Sequence, residues 1–236
     1  GINCLYWGTY RHGQMAAAIR HLGPTQRVRL VITVQSYDRT GWLMPRLFER
    51  GLRQLRIDYA DLLLLGLHNR PPSRRVLEAA LRIRERGLAR HIAVSGHHRP
   101  VFPKLAAAGD PYDVLMLRYN AAHPGAEQDV FPHLPNEGGP GILCYTATCW
   151  GTLLRARWTP PGETPLRASA CYRFVLSEPR VDVCLTGPAD AAQLREALST
   201  LDAGPLSPVE MERVRRIGRY VRSCERRNVW GLVSGE

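Results

Sequence analysis

The chain has 236 residues, 44% of them apolar, and no composition change or Ser/Gly-rich linker divides it, so the sequence predicts a single domain over residues 1–236. No apolar run approaches the length of a membrane span and no signal peptide is visible, which argues against a membrane partner. Six cysteines without a C-x-x-C pair indicate free thiols in a reducing compartment, so a cytoplasmic protein is expected.

The formal net charge is +11, and Lys104 is the only lysine among the 32 basic residues. Basic proteins attract polyanions. The arginines of this chain, however, are dispersed over many predicted helices and are not interleaved with aromatic residues on one face. This pattern argues against a nucleic-acid partner. A phosphorylated cofactor is an alternative use of the positive potential.

Short apolar segments alternate with segments of helical periodicity along the whole chain, at the spacing of strand–helix units. The predicted strands are Ile2–Trp7, Leu30–Gln35, Ala60–Leu65, His91–Ser95, Val114–Tyr119, Ile142–Thr146 and Val181–Thr186. The predicted helices are Gln14–Leu22, Trp42–Leu55, Ser73–Arg86, Pro100–Ala108, Asp129–Leu134, Leu166–Leu176, Asp190–Leu201 and Pro208–Cys224.

This alternation predicts a parallel α/β fold, a (β/α)8 TIM barrel. Seven strands are visible and the chain opens inside a strand, so the first βα unit is expected to be missing. The competing fold is an open, doubly wound sheet, but no G-x-G-x-x-G turn follows any strand. A last helix begins at Pro208, with Ser207 as N-cap and Glu210 completing a capping box. It is expected to be an extra helix outside the barrel.

Several short segments, taken in order and with their spacing, resemble motifs of the aldo-keto reductase superfamily. They are D-Y-A-D-L at 58–62, G-L-A-R-H-I-A-V-S at 87–95, Y-N at 119–120, Tyr145 with Gly151, and Gly187 with Gln193 and Glu196. The resemblance implies a barrel that binds NADP(H) and reduces a small-molecule aldehyde or ketone. It also implies a catalytic tetrad, in which a tyrosine protonates the carbonyl oxygen, a lysine paired with an aspartate tunes the tyrosine, and a histidine orients the substrate.

The tetrad that the resemblance implies is not kept in this chain. Val34 stands where the lysine is expected, Gly66 where the histidine is expected, and Tyr6 where the aspartate is expected. Tyr10 falls within one residue of the expected tyrosine and is the candidate acid. His68, two residues beyond Gly66, is the candidate for orienting the substrate.

The cofactor side of the resemblance is partly kept. Ser95 stands where the family binds the nicotinamide carboxamide, and Tyr145 could stack on the ring. Gly187 opens a predicted helix whose first amides could hold a phosphate. Gln193 and Glu196 follow on that helix, where they could equally be ordinary solvated residues.

Histidines and cysteines near the strand ends suggest further chemistry. His68, His97 and His98 follow neighbouring strands, but their spacing matches no zinc signature, and no metal site is predicted. Cys144 could pair with His97 as a nucleophile. The stronger interpretation is a buried thiol in a strand.

The leading functional hypothesis is an NADP(H)-dependent aldo-keto reductase with an altered active site. The main alternative is a redox-inactive barrel that acts as a ligand-binding or regulatory protein. A third hypothesis keeps the barrel and uses the histidines for lyase or isomerase chemistry. The sequence predicts no oligomeric state.

Overall fold

The structure, a computed structural model, describes residues 2–9, 13–107 and 111–231, with side chains through residue 224. The chain divides into two compact units. Unit 1 comprises Gly1–Met116 with Leu134–Pro140, and unit 2 comprises Leu117–His133 with Gly141–Glu236.

Unit 1 is built from parallel strands joined by helices. β1 pairs with β2, β2 with β3 and β3 with β4, so the strands lie side by side in chain order. An order without reversal is expected of a barrel wall rather than of a doubly wound sheet. Its elements are β1 (Cys4–Trp7), α1 (Gly13–Gln26), β2 (Val31–Ser36), α2 (Met44–Leu55), β3 (Ala60–Leu65), α3 (Arg74–Glu85), β4 (Ala89–Gly96), α4 (Val101–Ala107) and the first residues of β5 (Val114–Arg118).

The four-leucine strand β3 is buried along its whole length. Because both faces of a strand covered by helices are apolar, this explains the unbroken leucine run. The helices cover the sheet with apolar stripes, in which Met44, Phe48 and Leu55 of α2 are at most 1% exposed. The core of unit 1 therefore lies between these helices and the strands.

At the amino ends of the strands, Asp61 holds two neighbouring strands together. Its carboxylate accepts the Ile32 N–H at 2.8 Å and lies 2.9 Å from the Arg27 guanidinium and 3.3 Å from that of Arg90. The Tyr59 ring lies 3.8 Å from Arg27 and 4.3 Å from Arg90. We call Arg27, Tyr59, Asp61 and Arg90 the amino-edge cluster. It gives the D-Y-A-D-L segment a structural role.

The same device recurs where other strands begin. Asp113, just before β5, accepts the Ile92 N–H at 2.8 Å. Asp182, just before β7 in unit 2, accepts the Ile142 N–H at 2.7 Å. In each case an aspartate carboxylate accepts a backbone N–H of the preceding strand and so ties the two strands together.

Unit 2 contains the end of β5 and two further parallel strands, and β7 is only two residues long. Helix α6 contacts both α7 and α8, so the helices form the larger part of this unit. Its remaining elements are α5 (Ala126–Asp129), β6 (Gly141–Tyr145), α6 (Ala168–Leu176), β7 (Val183–Cys184), α7 (Ala191–Ala203) and α8 (Pro208–Gly231).

The capping box predicted for the last helix is confirmed. Ser207 Oγ accepts the Glu210 N–H at 3.3 Å, and the Ser207 N–H donates to the Glu210 carboxylate at 2.8 Å. Hydrogen bonds from the Arg173 guanidinium and from Ser207 lower the pKa of Glu210 to about 2. Arg215 of this helix binds Glu127 through two hydrogen bonds of 2.9 and 3.0 Å. Some of the excess arginine charge is therefore balanced within unit 2.

Three cysteines of unit 2, two of them buried and one partly buried, have inert thiols. Cys144 and Cys184 are register partners in β6 and β7, and Cys171 lies on α6. Burial raises the pKa of Cys144 above its ordinary value and those of Cys171 and Cys184 to about 12. The interpretation of Cys144 as a buried strand thiol is confirmed, because such a thiol forms almost no thiolate at neutral pH.

Candidate active site

Three loops converge at the carboxyl edge of the unit 1 sheet. His68, after β3, donates its backbone N–H to the Ser95 carbonyl at 2.6 Å. Arg39, after β2, places its NH1 2.8 Å from the His68 Nε2 atom. The structure thus brings the predicted residues His68 and Ser95 together, and Arg39 contacts His68. We call Arg39, Leu67, His68 and Ser95 the carboxyl-edge cluster.

The His68 ring is buried, with 7% of the residue exposed. Burial and then the nearby Arg39 charge lower its pKa from 6.5 to about 4, so the ring is neutral at pH 7. Because Nε2 lies against an arginine donor, it acts as the acceptor and the ring proton resides on Nδ1. His68 can therefore donate one hydrogen bond to a ligand oxygen but carries no charge.

Leu67 holds a strained backbone conformation, with φ of 58°. Its N–H donates to Ser95 Oγ at 3.1 Å and its carbonyl accepts from Arg39 at 3.0 Å. A bulky residue at positive φ is an outlier that persists only where the surroundings hold it, and such strain concentrates at functional sites. The Ser95 hydroxyl is thus engaged in shaping the loop.

Glycines permit this close packing. A Cβ at Gly96 would lie 2.2 Å from the His68 carbonyl oxygen, and one at Gly66 would lie 2.0 Å from Gln35 Nε2. The loop after β4 is further fixed by Asn69, whose Oδ1 accepts the N–H groups of His97 and His98. Within the described residues no group of three or more His, Cys, Asp or Glu is arranged to hold a metal ion.

Unit 2 contains a cavity of about 700 Å³ beyond the ends of β6 and β7. Among the predicted cofactor residues, Gly187, Gln193 and Glu196 line it, whereas Tyr145 ends β6 directly before it. Its wall residues are Thr146, Ala147, Thr148, Trp150, Gly151, Leu154, Arg155, Ala168, Tyr172, Leu185, Gly187, Pro188, Gln193 and Glu196. We call it the unit 2 cavity.

A strained loop forms one wall of the unit 2 cavity. Thr146, Cys149 and Trp150 have φ values of 59°, 51° and 51°, and Gly151 follows at 78°. Cys149 is buried and anchors the loop, while the Trp150 side chain is 64% exposed. This strained loop therefore places an exposed indole at the cavity, and backbone strain of this kind concentrates at functional sites.

The other wall is the first turn of α7. Asp190 caps this helix by accepting the Gln193 N–H at 2.8 Å, and Gln193 in turn accepts the Ala189 N–H at 3.0 Å. Glu196 accepts the Ala168 N–H at the start of α6, at 3.0 Å. Gln193 and Glu196 are thus hydrogen-bonded wall residues rather than merely solvated ones. Among the described residues that line the cavity, Arg155 is the one cation.

Solved structures with the same fold are aldo-keto reductases. The enzyme AKR11C1 from Bacillus halodurans in its holo form matches with a TM-score of 0.75 over 92% of this chain and 82% of its own, at 18% identity. The aldo-keto reductase from Klebsiella pneumoniae in complex with NADPH matches with a TM-score of 0.73 over 93% of this chain and 81% of its own, at 21% identity.

The chain has the aldo-keto reductase fold. The predicted (β/α)8 class, with seven parallel strands and an additional helix after the last unit, is confirmed. No protein-family model matches the sequence, and no curated protein matches it. Within the described residues no helix is long and apolar enough to span a membrane.

Barrels of this kind have their ligand sites at the carboxyl ends of the strands. The carboxyl-edge cluster lies at these ends in unit 1, and the unit 2 cavity lies at these ends in unit 2. Tyr6, Val34 and Gly66 occupy the positions expected for three tetrad residues. The Tyr6 hydroxyl donates to Gln35 Oε1, and the Gln35 amide occupies the space beside Gly66. Val34 is fully buried. Tyr10, the candidate acid, lies outside the described residues.

Sequence reasoning missed Arg39, Trp150 and Arg155. Arg39 lies in the loop after β2 and Trp150 in the loop after β6, so the rule that ligand sites use βα loops could have found both. The resemblance instead favours residues at the strand ends, because the family's lysine and histidine are expected at the positions of Val34 and Gly66.

Proposed function

We propose that the protein is an oxidoreductase of the aldo-keto reductase type, which uses NADP(H) to reduce an aldehyde or ketone in the cytoplasm. The observation that supports this function best is the unit 2 cavity, which combines a cation, an exposed indole and the first turn of a helix. Its volume of about 700 Å³ is within the range of ligand pockets, roughly 300–1,000 Å³. The Klebsiella pneumoniae protein of the same fold is in complex with NADPH.

The wall residues of the cavity fit a dinucleotide. Arg155 would balance phosphate charge, Trp150 would cover a flat ring, and Gln193 with Glu196 would face the base or ribose. A Cβ at Gly187 would meet nothing within 4 Å, so that wall leaves room for a ligand. Asp190 places a carboxylate at the amino end of α7, which is unfavourable for a phosphate there. When bound, the cofactor supplies the hydride.

Residues of unit 1 would handle the substrate. His68 would donate its Nδ1 proton to the carbonyl oxygen and so orient it, and it stays neutral throughout the physiological pH range. Ser95 would hold the loop in the required shape. Tyr10 is the proposed proton donor. Because Val34 stands where the resemblance places the lysine, its phenol would be a weaker acid than in the family that the fold resembles.

A redox-inactive ligand-binding protein is the second candidate, and one observation favours it. The Tyr6–Gln35 hydrogen bond and Gly66 fill the places of the tetrad side chains. A barrel built this way keeps its nucleotide cavity and lacks the usual proton relay. It would bind NADPH without consuming it.

Titration with NADPH and NADH, followed by cofactor and tryptophan fluorescence, tests both candidates. Arg155→Gln is expected to weaken NADPH binding about tenfold or more, because a charge-assisted hydrogen bond contributes about 1.5–3 kcal/mol. Arg157→Gln, two residues away and outside the cavity wall, is the matched control. Trp150→Phe should remove most of the tryptophan quenching by bound NADPH. Trp42→Phe, equally exposed in unit 1, should not.

Turnover is then measured over a panel of aldehydes and ketones. Consumption of NADPH supports the oxidoreductase, and its loss in Tyr10→Phe would support the assigned acid. Tight binding without consumption favours the second candidate. If neither NADPH nor NADH binds, both the cavity assignment and the oxidoreductase are wrong.

A further inference from the structure

We propose that the carboxyl-edge cluster of unit 1 binds a carboxylate, with Arg39 as the anchoring cation, so that the protein recognises small carboxylic acids with an apolar body. Where the proposed function holds, the substrate is accordingly a carbonyl compound that carries a carboxylate, such as an aromatic 2-oxo acid. Only that second statement rests on the proposed function.

The first observation is a cation held in place by neutral groups. Arg39 NH1 meets His68 Nε2, while NH2 donates to the Gly66 carbonyl at 2.6 Å and to the Leu67 carbonyl at 3.0 Å. Across residues 2–9, 13–107 and 111–224, no carboxylate forms an ion pair with it. Asp38, its neighbour in the chain, instead binds the N–H groups of Thr40 and Gly41.

This arrangement differs from that of an ordinary surface arginine. Three acceptors orient the guanidinium, so much of the side-chain entropy lost on binding an anion is already lost in the free protein. A guanidinium carries five N–H donors. The three hydrogen bonds to the protein use one NH1 proton and both NH2 protons, which leaves Nε–H and one NH1 N–H as two separate donors. An oriented arginine without a counter-charge can therefore bind a carboxylate oxygen through a charge-assisted hydrogen bond.

His68 leaves the positive charge of Arg39 unchanged. A histidine beside an arginine would repel it if protonated, and here the ring is neutral because burial and the arginine lower its pKa to about 4. The ring therefore supports Arg39 as an acceptor without adding or cancelling charge. Its Nδ1 proton adds a donor of the kind that a carboxylate or carbonyl oxygen accepts.

Apolar side chains flank the cation. Tyr37 is 50% exposed and packs against Gly66, where a Cβ would lie 2.9 Å from its ring, and Leu67 is 47% exposed. Arg39 holds the strained Leu67 through its carbonyl. A cation beside an exposed aromatic ring and an exposed leucine matches a carboxylate on an apolar body, such as benzoate, better than it matches free phosphate.

Binding of benzoate and of benzamide, its neutral isostere, tests the site without any cofactor. Ligand-observed NMR titrations are made on the wild-type protein, Arg39→Gln and Arg70→Gln. Arg70 is exposed in the loop after β3, so its variant is the matched control. We expect benzoate to bind the wild type more tightly than benzamide does, and Arg39→Gln to weaken benzoate about tenfold or more while leaving benzamide unchanged.

Arg70→Gln should keep benzoate affinity within about twofold of the wild type, since exposed charges that are not held in place contribute little. Arg39→Lys keeps the charge and loses the planar group that the three acceptors orient, so it should give an intermediate affinity. Unchanged circular dichroism and melting temperature show that the variants fold. The proposal is overturned if benzoate does not bind, if benzamide binds equally well, or if Arg39→Gln and Arg70→Gln weaken benzoate alike.

Turnover separates this inference from the proposed function. If NADPH is consumed, kcat/KM for an aromatic 2-oxo acid should exceed that for its methyl ester, and Arg39→Gln should reduce the ratio at least tenfold. A ratio that Arg39→Gln leaves unchanged contradicts the substrate class. Carboxylate binding without NADPH consumption supports the carboxylate site and contradicts the proposed oxidoreductase function.

Discussion

At the amino edge of unit 1 an aspartate lies between two arginines, whereas at the carboxyl edge an arginine meets only neutral acceptors. The amino-edge cluster satisfies both charge and backbone donors, through Asp61, Arg27 and the Ile32 N–H. The carboxyl-edge cluster instead leaves a cation uncompensated beside a strained leucine. The same sheet thus has its paired charges at one end of the strands and the proposed ligand site at the other, as is usual for barrels.

The largest expected effect is at the amino edge. Asp61→Ala removes the counter-charge of the mostly buried Arg27 and the acceptor of the Ile32 N–H, so the free energy of unfolding should fall by about 3–5 kcal/mol. Asp58→Ala, three residues earlier and exposed, is the control and should change it by less than about 0.5 kcal/mol. Urea unfolding measures both. Equal losses would show that Asp61 has no special structural role.

A pH effect follows at the carboxyl edge. The folded pKa of His68 is about 4 and the unfolded value is about 6.5, so the unfolded chain binds more protons between these values. The His68 contribution is complete above about pH 6.5 and is lost as the pH falls toward 4, by about 3 kcal/mol in total. Unfolding at pH 4.5 to 7.5 should show this slope in the wild type. The His68→Gln variant should lack the part of this pH dependence that His68 contributes.

Gly96→Ala tests how tightly the two loops pack. The added Cβ would lie 2.2 Å from the His68 carbonyl oxygen, so backbone must move and stability should fall by about 1–3 kcal/mol. Gly13→Ala, where nothing lies within 4 Å of the added Cβ, should leave the melting temperature nearly unchanged. If Gly96→Ala left the melting temperature unchanged, the two loops would be loosely packed.

The smallest stability effect is expected for Arg39→Gln. It loses part-buried hydrogen bonds to His68 and Gly66 and an exposed one to Leu67, each of which contributes about 1 kcal/mol or less. It should nevertheless raise the pKa of His68 above about 4, though not to an ordinary value, because burial is the larger cause. NMR titration of the ring measures this. A stability loss as large as that of Asp61→Ala would make Arg39 a structural residue and would erase the contrast between the two edges.

The sequence predicted the strands and helices well because hydrophobic periodicity is a local property. Ala60–Leu65 is a strand with the predicted bounds, and Ser73 and Asp190, where two predicted helices begin, accept hydrogen bonds at the starts of α3 and α7. Less regular segments were missed. Helix α1 continues through Pro24 to Gln26, and β7 shrinks to two residues because little of Val181–Thr186 pairs.

The candidate site was predicted only in part, because its contacts join residues far apart in the chain. His68 and Ser95 were found from their strands, and Gly187 from its helix. The Arg39–His68 contact spans 29 positions and the Tyr6–Gln35 contact also spans 29, and no local pattern encodes either. Resemblance supplied residue positions but not the side chains that replaced the missing ones.

The buried thiols offer a way to time the opening of unit 2. Cys144, Cys149 and Cys171 are buried there, whereas Cys4, the one cysteine among the described residues of unit 1, is only partly buried. A shielded sulfur is alkylated only when its surroundings transiently unfold. The labelling rates of the three buried cysteines, resolved by mass spectrometry, would therefore report whether β6, the loop after it and α6 open together or one at a time, with no probe added to the molecule.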